Sequence, residues 1–184
     1  MLIYAVNRKT DTGSDLFLNT GSDLAFVKQV FELTLAGGWT QEGRDTFARL
    51  IEAAAVFPMF RYFRAYDEVL KRTAGVLAAD NELSHISLLF VHPDYMGQGI
   101  GSRLIRLAER ATTQRGLTVN AEPTAVTFYE KNGFRACTGA FETRDGITTL
   151  RMFKPLKTLR TRPLKVNKKA APGAGTALHA DDRT

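Results

Sequence analysis

The chain of 184 residues has a single cysteine, Cys137, and no long uninterrupted apolar run. One cysteine excludes an internal disulfide and suits a reducing compartment. Since a helix needs about 18 or more consecutive apolar residues to cross a bilayer, we expect no membrane span and no membrane partner. Residues 1–8 also lack the basic start and long apolar core of a signal peptide. Together these absences predict a cytoplasmic protein.

Basic charge is concentrated outside the main body of the chain. The formal net charge is +6, but residues 157–184 alone hold seven Lys or Arg and two Asp. The remaining body has 18 basic and 17 acidic residues and is nearly neutral. A face that binds nucleic acid is therefore not indicated, and a nucleic-acid partner is not expected. The tail is either a solvated extension, which is the favoured interpretation, or a tether for RNA or an acidic partner.

Apolar periodicity predicts one domain over residues 1–156 and a flexible, basic, disordered tail over residues 157–184. Both strands and helices are expected within the domain, so the fold class is α/β (α+β). Strands are expected over residues 2–6, 15–18, 60–66, 74–79, 84–91, 118–121, 134–143 and 148–153, the last two joined by an Asp145-Gly146 turn. Helices are expected from Ser22 or Asp23 through Leu35, from Thr40 onward, over 102–115 and over 124–132.

Three glycines at alternate positions, Gly97, Gly99 and Gly101, lie between the apolar run 86–91 and the helical pattern that begins at Ser102. Free backbone N–H groups at a helix N-terminus bind anions, and glycine lets a phosphate approach the backbone closely. This pattern predicts a phosphate-binding turn, or else a tight strand-to-helix turn with no ligand.

The spacing of the glycines argues against two common phosphate-binding motifs. A dinucleotide fingerprint would place its third glycine where this chain has Ser102, and no acidic residue ends a second strand at the expected distance. A P-loop would close with Gly-Lys-Ser/Thr, which is absent.

A second segment, residues 120–134, reads NAEPTAVTFYEKNGF. Together the two segments resemble the GCN5-related N-acetyltransferase (GNAT) superfamily, whose V-x-P-x-[YF]-[RQ]-G-x-G-[IL]-G turn precedes A-x-x-[FL]-Y-[EK]-[KR]-x-G-F. The resemblance covers residues 75–156, and the order and distance of the two motifs make it specific. One departure is Met96, which stands where the family has Arg or Gln.

This resemblance implies a GNAT fold with a mixed central sheet of about six to seven strands flanked by about four helices. It also implies an N-acetyltransferase that uses acetyl-CoA as cosubstrate and no metal. The acetyl group would pass to a primary amine by direct attack of the amine on the thioester. The alternative is a non-catalytic module with the same fold that binds or senses acyl-CoA.

By the same resemblance, acetyl-CoA would be held mainly by backbone groups. The glycine turn would bind the pyrophosphate through the N–H groups of Gly97, Gln98, Gly99, Ile100, Gly101 and Ser102. The end of the preceding strand, Leu89, Phe90 and Val91, would pair with the pantetheine, and one of its N–H groups would polarise the thioester carbonyl. Asn120 would fix CoA or backbone near the strand end, unless it only forms a turn.

Two side chains are the candidate catalytic residues. Tyr129 corresponds to the family tyrosine that approaches the CoA sulfur, where a phenol would protonate the departing thiolate; otherwise it is a core aromatic. His85 is a candidate base for the acceptor amine, since its pKa lies near neutrality; otherwise it is a hydrogen-bonding strand residue. Glu122, Glu68 and an ordered water chain are weaker candidates for the base.

The acceptor site is the least determined part of the prediction. The first two helices and their loop would build it, with Phe26, Trp39, Phe57 and Phe60 as candidate lining residues, although aromatics of this kind are more often core. The acceptor is either a small-molecule amine or a protein amine, and a homodimer is possible.

Overall fold

A computed structural model describes residues 1–6, 20–57 and 60–156. The expected strand at 15–18 and the tail at 157–184 lie outside these ranges. The described elements are β1 (Leu2–Val6), α1 (Thr20–Thr34), α2 (Gln41–Val56), β2 (Phe60–Asp67), β3 (Arg72–Asp80), β4 (His85–Val91), α3 (Ile100–Ala111), β5 (Gly116–Ala121), α4 (Val126–Lys131), β6 (Arg135–Ala136), β7 (Glu142–Arg144) and β8 (Ile147–Pro155).

The strands form one mixed sheet in the order β1-β2-β3-β4-β5-β8-β6, with β7 paired to β8. All described pairs are antiparallel except β4–β5, which is parallel. β1 pairs with β2, and the four α-helices of the described residues flank the sheet. The mixed sheet and helix number expected from the resemblance are therefore confirmed.

Two apolar cores lie on the two faces of the sheet. On one face, α3 and α4 pack on residues such as Leu77, Val119 and Met152, all at most 3% exposed. On the other face, α1 and α2 pack on side chains from β2, β3 and β4, among them Val76 and Leu88. Among the described residues this second core takes no side chain from β5 or β8. The sheet face beyond β4 is consequently left open beside α2.

A bulge in β4 changes the direction of its side chains. Ile86 lies opposite Ala79 and Leu88 lies opposite Ala78, so Ser87 is an extra residue without a partner on β3. Ile86 therefore packs into the core of α3 and α4, whereas Leu88 packs into the core of α1 and α2. Without the bulge, Ile86 and Leu88, which are two positions apart, would lie on the same face of the sheet.

Several predicted boundaries are confirmed and others are wrong. Thr40 caps α2 by accepting a hydrogen bond from the Gly43 N–H at 3.1 Å, and Asp145 and Gly146 both have positive φ, as a type I′ turn requires. The predicted strand 134–143 is two short strands, because residues 137–140 bend between them.

The predicted starts and ends of two helices also need correction. α3 begins at Ile100 and ends at Ala111 rather than spanning 102–115, since the Thr112 hydroxyl turns away from the helix to donate to Leu83 O at 2.7 Å. α1 begins at Thr20, so Asp23 lies inside its first turn, where it pairs with Arg64 at 2.6 Å instead of capping the helix.

Candidate functional site

A cleft of about 1550 Å³ opens at the point where β4 and β5 separate. The two strands pair only at His85–Thr118 and Ile86–Val119, so the last pair lies next to the bulge at Ser87. We call the part between β4, residues 97–101 and α4 the turn half, and the part between α1, α2 and the β7–β8 hairpin the hairpin half. Both halves belong to one continuous cavity.

The outer part of β4 presents backbone groups to the turn half. The His92 N–H donates to Ala74 O at 3.0 Å, which makes this a hydrogen-bonded pair in the β3–β4 ladder. Because such pairs alternate along an antiparallel ladder, Phe90 also directs its backbone groups to β3, while Leu89 and Val91 direct theirs to the open side. The geometry thus separates Phe90 from the other two predicted backbone ligands.

The glycine turn connects β4 to α3 through a 3₁₀ turn at Pro93–Tyr95. Gly97 has φ +76° and Gly99 has φ +75°, backbone conformations that strain any residue with a side chain. Gly99 is the N-cap of α3, and the first helical hydrogen bond runs from Arg103 N–H to Gly99 O at 3.0 Å. The N–H groups of residues 100–102 precede that bond and so have no acceptor within the helix.

Gly101 has a different reason to be glycine. It lies inside α3 with an ordinary φ, and a Cβ there would stand 2.9 Å from Cζ of Phe128 on α4. The missing side chain therefore lets α4 approach the first turn of α3. Phe128 lies beside Tyr129, with ring centroids 5.2 Å apart, so this contact helps set the position of the tyrosine.

His85 lies at the start of β4 and lines the cleft. Its Nδ1 lies 2.8 Å from the Thr118 hydroxyl, and that hydroxyl donates to Ser84 O at 3.1 Å. When the hydroxyl gives its single proton to Ser84 O, it accepts from Nδ1–H, and Nε2 is then the unprotonated nitrogen of the neutral ring.

The charge state of His85 is set mainly by burial. Burial lowers its pKa below the ordinary value near 6.5, and Arg151 lowers it further, while Asp80 opposes the shift. The imidazole is therefore neutral at physiological pH, with a nitrogen able to accept a proton. Thr118 was not predicted as a site residue; its place on the strand paired with β4 was the only available sequence signal.

Tyr129 lies on α4, 6% exposed, with its ring packed edge-on against Phe134. Its hydroxyl has no hydrogen-bond partner among the described residues, and the residue lines the turn half of the cleft. Burial raises the pKa of Tyr129 well above that of a free phenol. The phenol therefore remains protonated across the neutral range.

Asn120 lies on β5 and is exposed in the cleft. It stands opposite Arg151 of β8 in the β5–β8 register, and both lie on the sheet face that α1 and α2 leave open. Glu122, a weaker candidate for the base, also lines the cleft, but its carboxylate accepts from the Thr124 N–H at 2.8 Å and so caps the 3₁₀ turn before α4.

Two of the four aromatics predicted for the acceptor site, Trp39 and Phe60, line the hairpin half. Phe26 is buried in the core under α1, and Phe57 is 61% exposed and does not line the cleft. Neither therefore belongs to its wall, which corrects the prediction for both.

The β7–β8 turn docks on the start of α2. The Thr40 hydroxyl donates to Gly146 O at 3.2 Å, and a Cβ on Gly43 would lie 2.5 Å from the same oxygen. The two walls of the hairpin half therefore touch, backbone to backbone, at these glycines.

Two classes of feature are absent from residues 1–6, 20–57 and 60–156. No group of three or more His, Cys, Asp or Glu side chains there could hold a metal ion. No helix in those ranges has the length and apolar character that a membrane crossing needs.

Known proteins resemble this chain in sequence and in fold. The model of the acetyltransferase (GNAT) domain matches residues 38–156. Peptidyl-lysine N-acetyltransferase YjaB of Salmonella typhimurium is 44% identical over 64 residues, which are 33% of this chain and 42% of that protein. The chain thus matches less than half the length of this curated relative.

Two solved structures share the fold. A GCN5-related N-acetyltransferase from Rhodopseudomonas palustris superposes with a TM-score of 0.65 at 22% identity, covering 84% of this chain and 95% of that one. The PaiA N-acetyltransferase from Thermoplasma acidophilum, solved with coenzyme A, superposes with a TM-score of 0.58 at 17% identity, covering 84% and 99%.

Proposed function

The chain belongs to the acetyltransferase (GNAT) domain family, and from this membership we propose that it transfers the acetyl group of acetyl-CoA to a primary amine. The observation that carries the proposal is the cleft at the separation of β4 and β5, with the glycine turn at one end and Tyr129 and His85 along it. The reaction is direct: the amine nitrogen attacks the thioester carbon, and the carbon–sulfur bond breaks.

The glycine turn is the proposed site for the pyrophosphate. The N–H groups of Gly97, Gln98, Gly99, Ile100, Gly101 and Ser102 would serve as donors, aided by the positive end of the α3 dipole. The Met96 side chain, 53% exposed at the cleft, adds no charge, so binding rests on the backbone. The PaiA N-acetyltransferase, which shares the fold and was solved with coenzyme A, supports this choice of ligand.

The open edge of β4 is the proposed site for the pantetheine and the thioester. Leu89 and Val91 direct their N–H and C=O groups to the side where β5 has separated, so an extended ligand could add there as a strand would. An N–H at this edge would also stabilise the negative charge that develops on the carbonyl oxygen. The backbone groups of Phe90 point toward β3, so Phe90 is not a proposed backbone ligand of the pantetheine.

Tyr129 is the proposed acid. Burial keeps its phenol protonated at neutral pH, so it can donate to the sulfur when the thiolate leaves. Its hydroxyl has no partner among the described residues, so donation to the leaving group breaks no described hydrogen bond.

His85 is the proposed base. Its Nε2 is unprotonated in the tautomer that Thr118 favours, and its lowered pKa keeps the ring neutral. The ring can therefore accept the proton that the amine loses, directly or through one water. The presence of an acid and a base in one cleft favours catalysis over a module that only binds acyl-CoA.

The proposed acceptor is a primary amine carried by a small molecule or by a protein lysine. The name of YjaB, a peptidyl-lysine N-acetyltransferase, supports the lysine form. We place the catalytic unit in residues 1–156, which contain the matched region, and propose that it works in the cytoplasm, as the single cysteine suggests.

The test measures CoA binding by calorimetry, and release of free thiol from acetyl-CoA with a panel of amines and lysine peptides. We expect binding, and turnover with at least one acceptor. Binding with no turnover above the hydrolysis background across the panel would instead support the binding module. Failure to bind CoA would refute both functions.

A further inference from the structure

We propose that Tyr95 and Arg72 are positioning residues that hold the glycine turn in its anion-binding geometry by fastening it to the turn between β2 and β3. The proposal rests on the proposed binding of CoA at the glycine turn. It adds two residues to the site, neither of which contributes an N–H group to the pyrophosphate.

The glycine turn is weakly held by its own residues. Gly97, Gln98 and Gly99 are exposed, and a Cβ at Gly97 or Gly99 would meet no atom within 4 Å. Glycines in open space lose much conformational entropy when they are ordered. A fixed array of N–H donors at this position therefore needs support from outside the turn.

Tyr95 supplies part of that support. It directly precedes Met96 and Gly97, and its ring is 6% exposed in the core under α3. Its hydroxyl donates to Asp67 Oδ2 at 2.8 Å and accepts from Arg72 Nε at 2.9 Å. Both partners lie at the ends of β2 and β3, so the hydroxyl ties the start of the turn to the sheet.

Arg72 makes a second connection to the same segment. Its Nη2 donates to Asp94 Oδ2 at 2.9 Å, and its guanidinium lies 5.0 Å from the centre of the Tyr95 ring. Asp94 O in turn accepts from the Gln98 side chain at 3.0 Å. The positive charge of Arg72 also offsets the negative charge of Asp94, which lies next to the proposed pyrophosphate site.

The β2–β3 turn can act as a fixed anchor. Asp67 Oδ1 accepts from the N–H groups of Val69 and Leu70 at 2.9 and 3.1 Å. These bonds do not involve Tyr95, so the anchor persists when the tyrosine hydroxyl is removed. Deleting the hydroxyl therefore loosens the glycine turn and leaves the β2–β3 turn in place.

The experiment measures the Kd of CoA by calorimetry for the wild-type protein, Tyr95→Phe, Arg72→Ala and the double variant. We expect each single variant to bind about tenfold more weakly, as the loss of one or two charge-assisted hydrogen bonds predicts. The double variant should lose less than the product of the two effects, since both changes break one network. The kcat at saturating acetyl-CoA should stay within twofold of wild type, with the loss confined to KM.

Two controls remove the same groups elsewhere. Tyr66→Phe deletes a hydroxyl that has no hydrogen bond among the described residues, and Arg106→Ala deletes an exposed charge on α3; both should bind CoA normally. If wild type binds CoA and both single variants match it within twofold, the positioning role is refuted. If wild type does not bind CoA, the proposed function fails first. A thermal melt shows that each variant is folded.

Discussion

Replacing Thr118 with valine tests whether the hydrogen bonding of His85 makes it a base. Valine keeps the shape of threonine but cannot accept from Nδ1–H at 2.8 Å or donate to Ser84 O at 3.1 Å. The imidazole would then be free to carry its proton on either nitrogen. Only the Nδ1–H tautomer has Nε2 available for the amine proton.

The size of the effect follows from the lost hydrogen bond. A single buried hydrogen bond contributes about 0.5–1.5 kcal/mol net, which corresponds to roughly a two- to tenfold change in an equilibrium. We therefore expect kcat to fall by about two- to tenfold in Thr118→Val. Removing the base itself, in His85→Gln, should cost about a hundredfold or more.

The assay is thiol release at saturating acetyl-CoA with an active amine, followed from pH 5.5 to 9. The Thr118 hydroxyl also stabilises the charged imidazolium by accepting a hydrogen bond from it. Loss of the hydroxyl should therefore lower the pKa of His85 and move the acid limb of the pH–rate profile to lower pH. CoA affinity should not change. Thr149→Val, which deletes another threonine hydroxyl lining the cleft, is the matched control and should behave as wild type.

Two results would refute this reasoning. Wild-type turnover by Thr118→Val at every pH would show that the tautomer does not matter. Wild-type turnover by His85→Gln would show that the proton leaves by another route, such as a water chain.

Four further outcomes are expected. Tyr129→Phe should lower kcat by about tenfold or more and leave the melting temperature almost unchanged, because its hydroxyl has no described partner. Gly101→Ala should weaken turnover by displacing Phe128, whereas Gly37→Ala, with no atom within 4 Å of its Cβ, should not. Gly43→Ala should destabilise the fold in thermal melts by about 1–3 kcal/mol, since its Cβ would meet the Gly146 backbone. Burial lowers the pKa of His85 in the folded protein below 6.5, so as pH falls the unfolded chain is protonated at His85 before the folded protein is. The contribution of His85 to the free energy of unfolding should therefore decrease as pH drops below 6.5. Denaturation curves of His85→Gln should show a weaker dependence of stability on pH in this range.

The parts of the fold that the sequence predicted are those set by local pattern. Alternating or continuous apolar runs located β2 to β5 to within a few residues, and Thr40 and Asp145-Gly146 marked a cap and a turn by their own chemistry. The break between β6 and β7 was missed because residues 134–143 contain no proline or other strong signal to stop a strand, and Gly139 alone did not mark one.

The candidate site divides in a similar way. The motif residues of the glycine turn and α4 could be named from their resemblance to the GNAT motifs, since each motif is contiguous in the chain. Thr118, Arg72 and Asp67 could not, because their roles depend on partners 22 to 34 positions away. Such contacts leave no periodicity or local motif to detect.

Because of the bulge at Ser87, a regular-strand pattern assigns the side chains of β4 to the wrong faces of the sheet. A regular strand would place His85, Ser87 and Leu89 on one face. The extra residue turns Leu89 into the α3 core. At the same place β4 loses its pairing with β5, which frees the backbone of Leu89 and Val91 and opens the cleft. One inserted residue therefore determines both which backbone groups face the proposed cosubstrate and why His85 lies at the closed end of the strand pair.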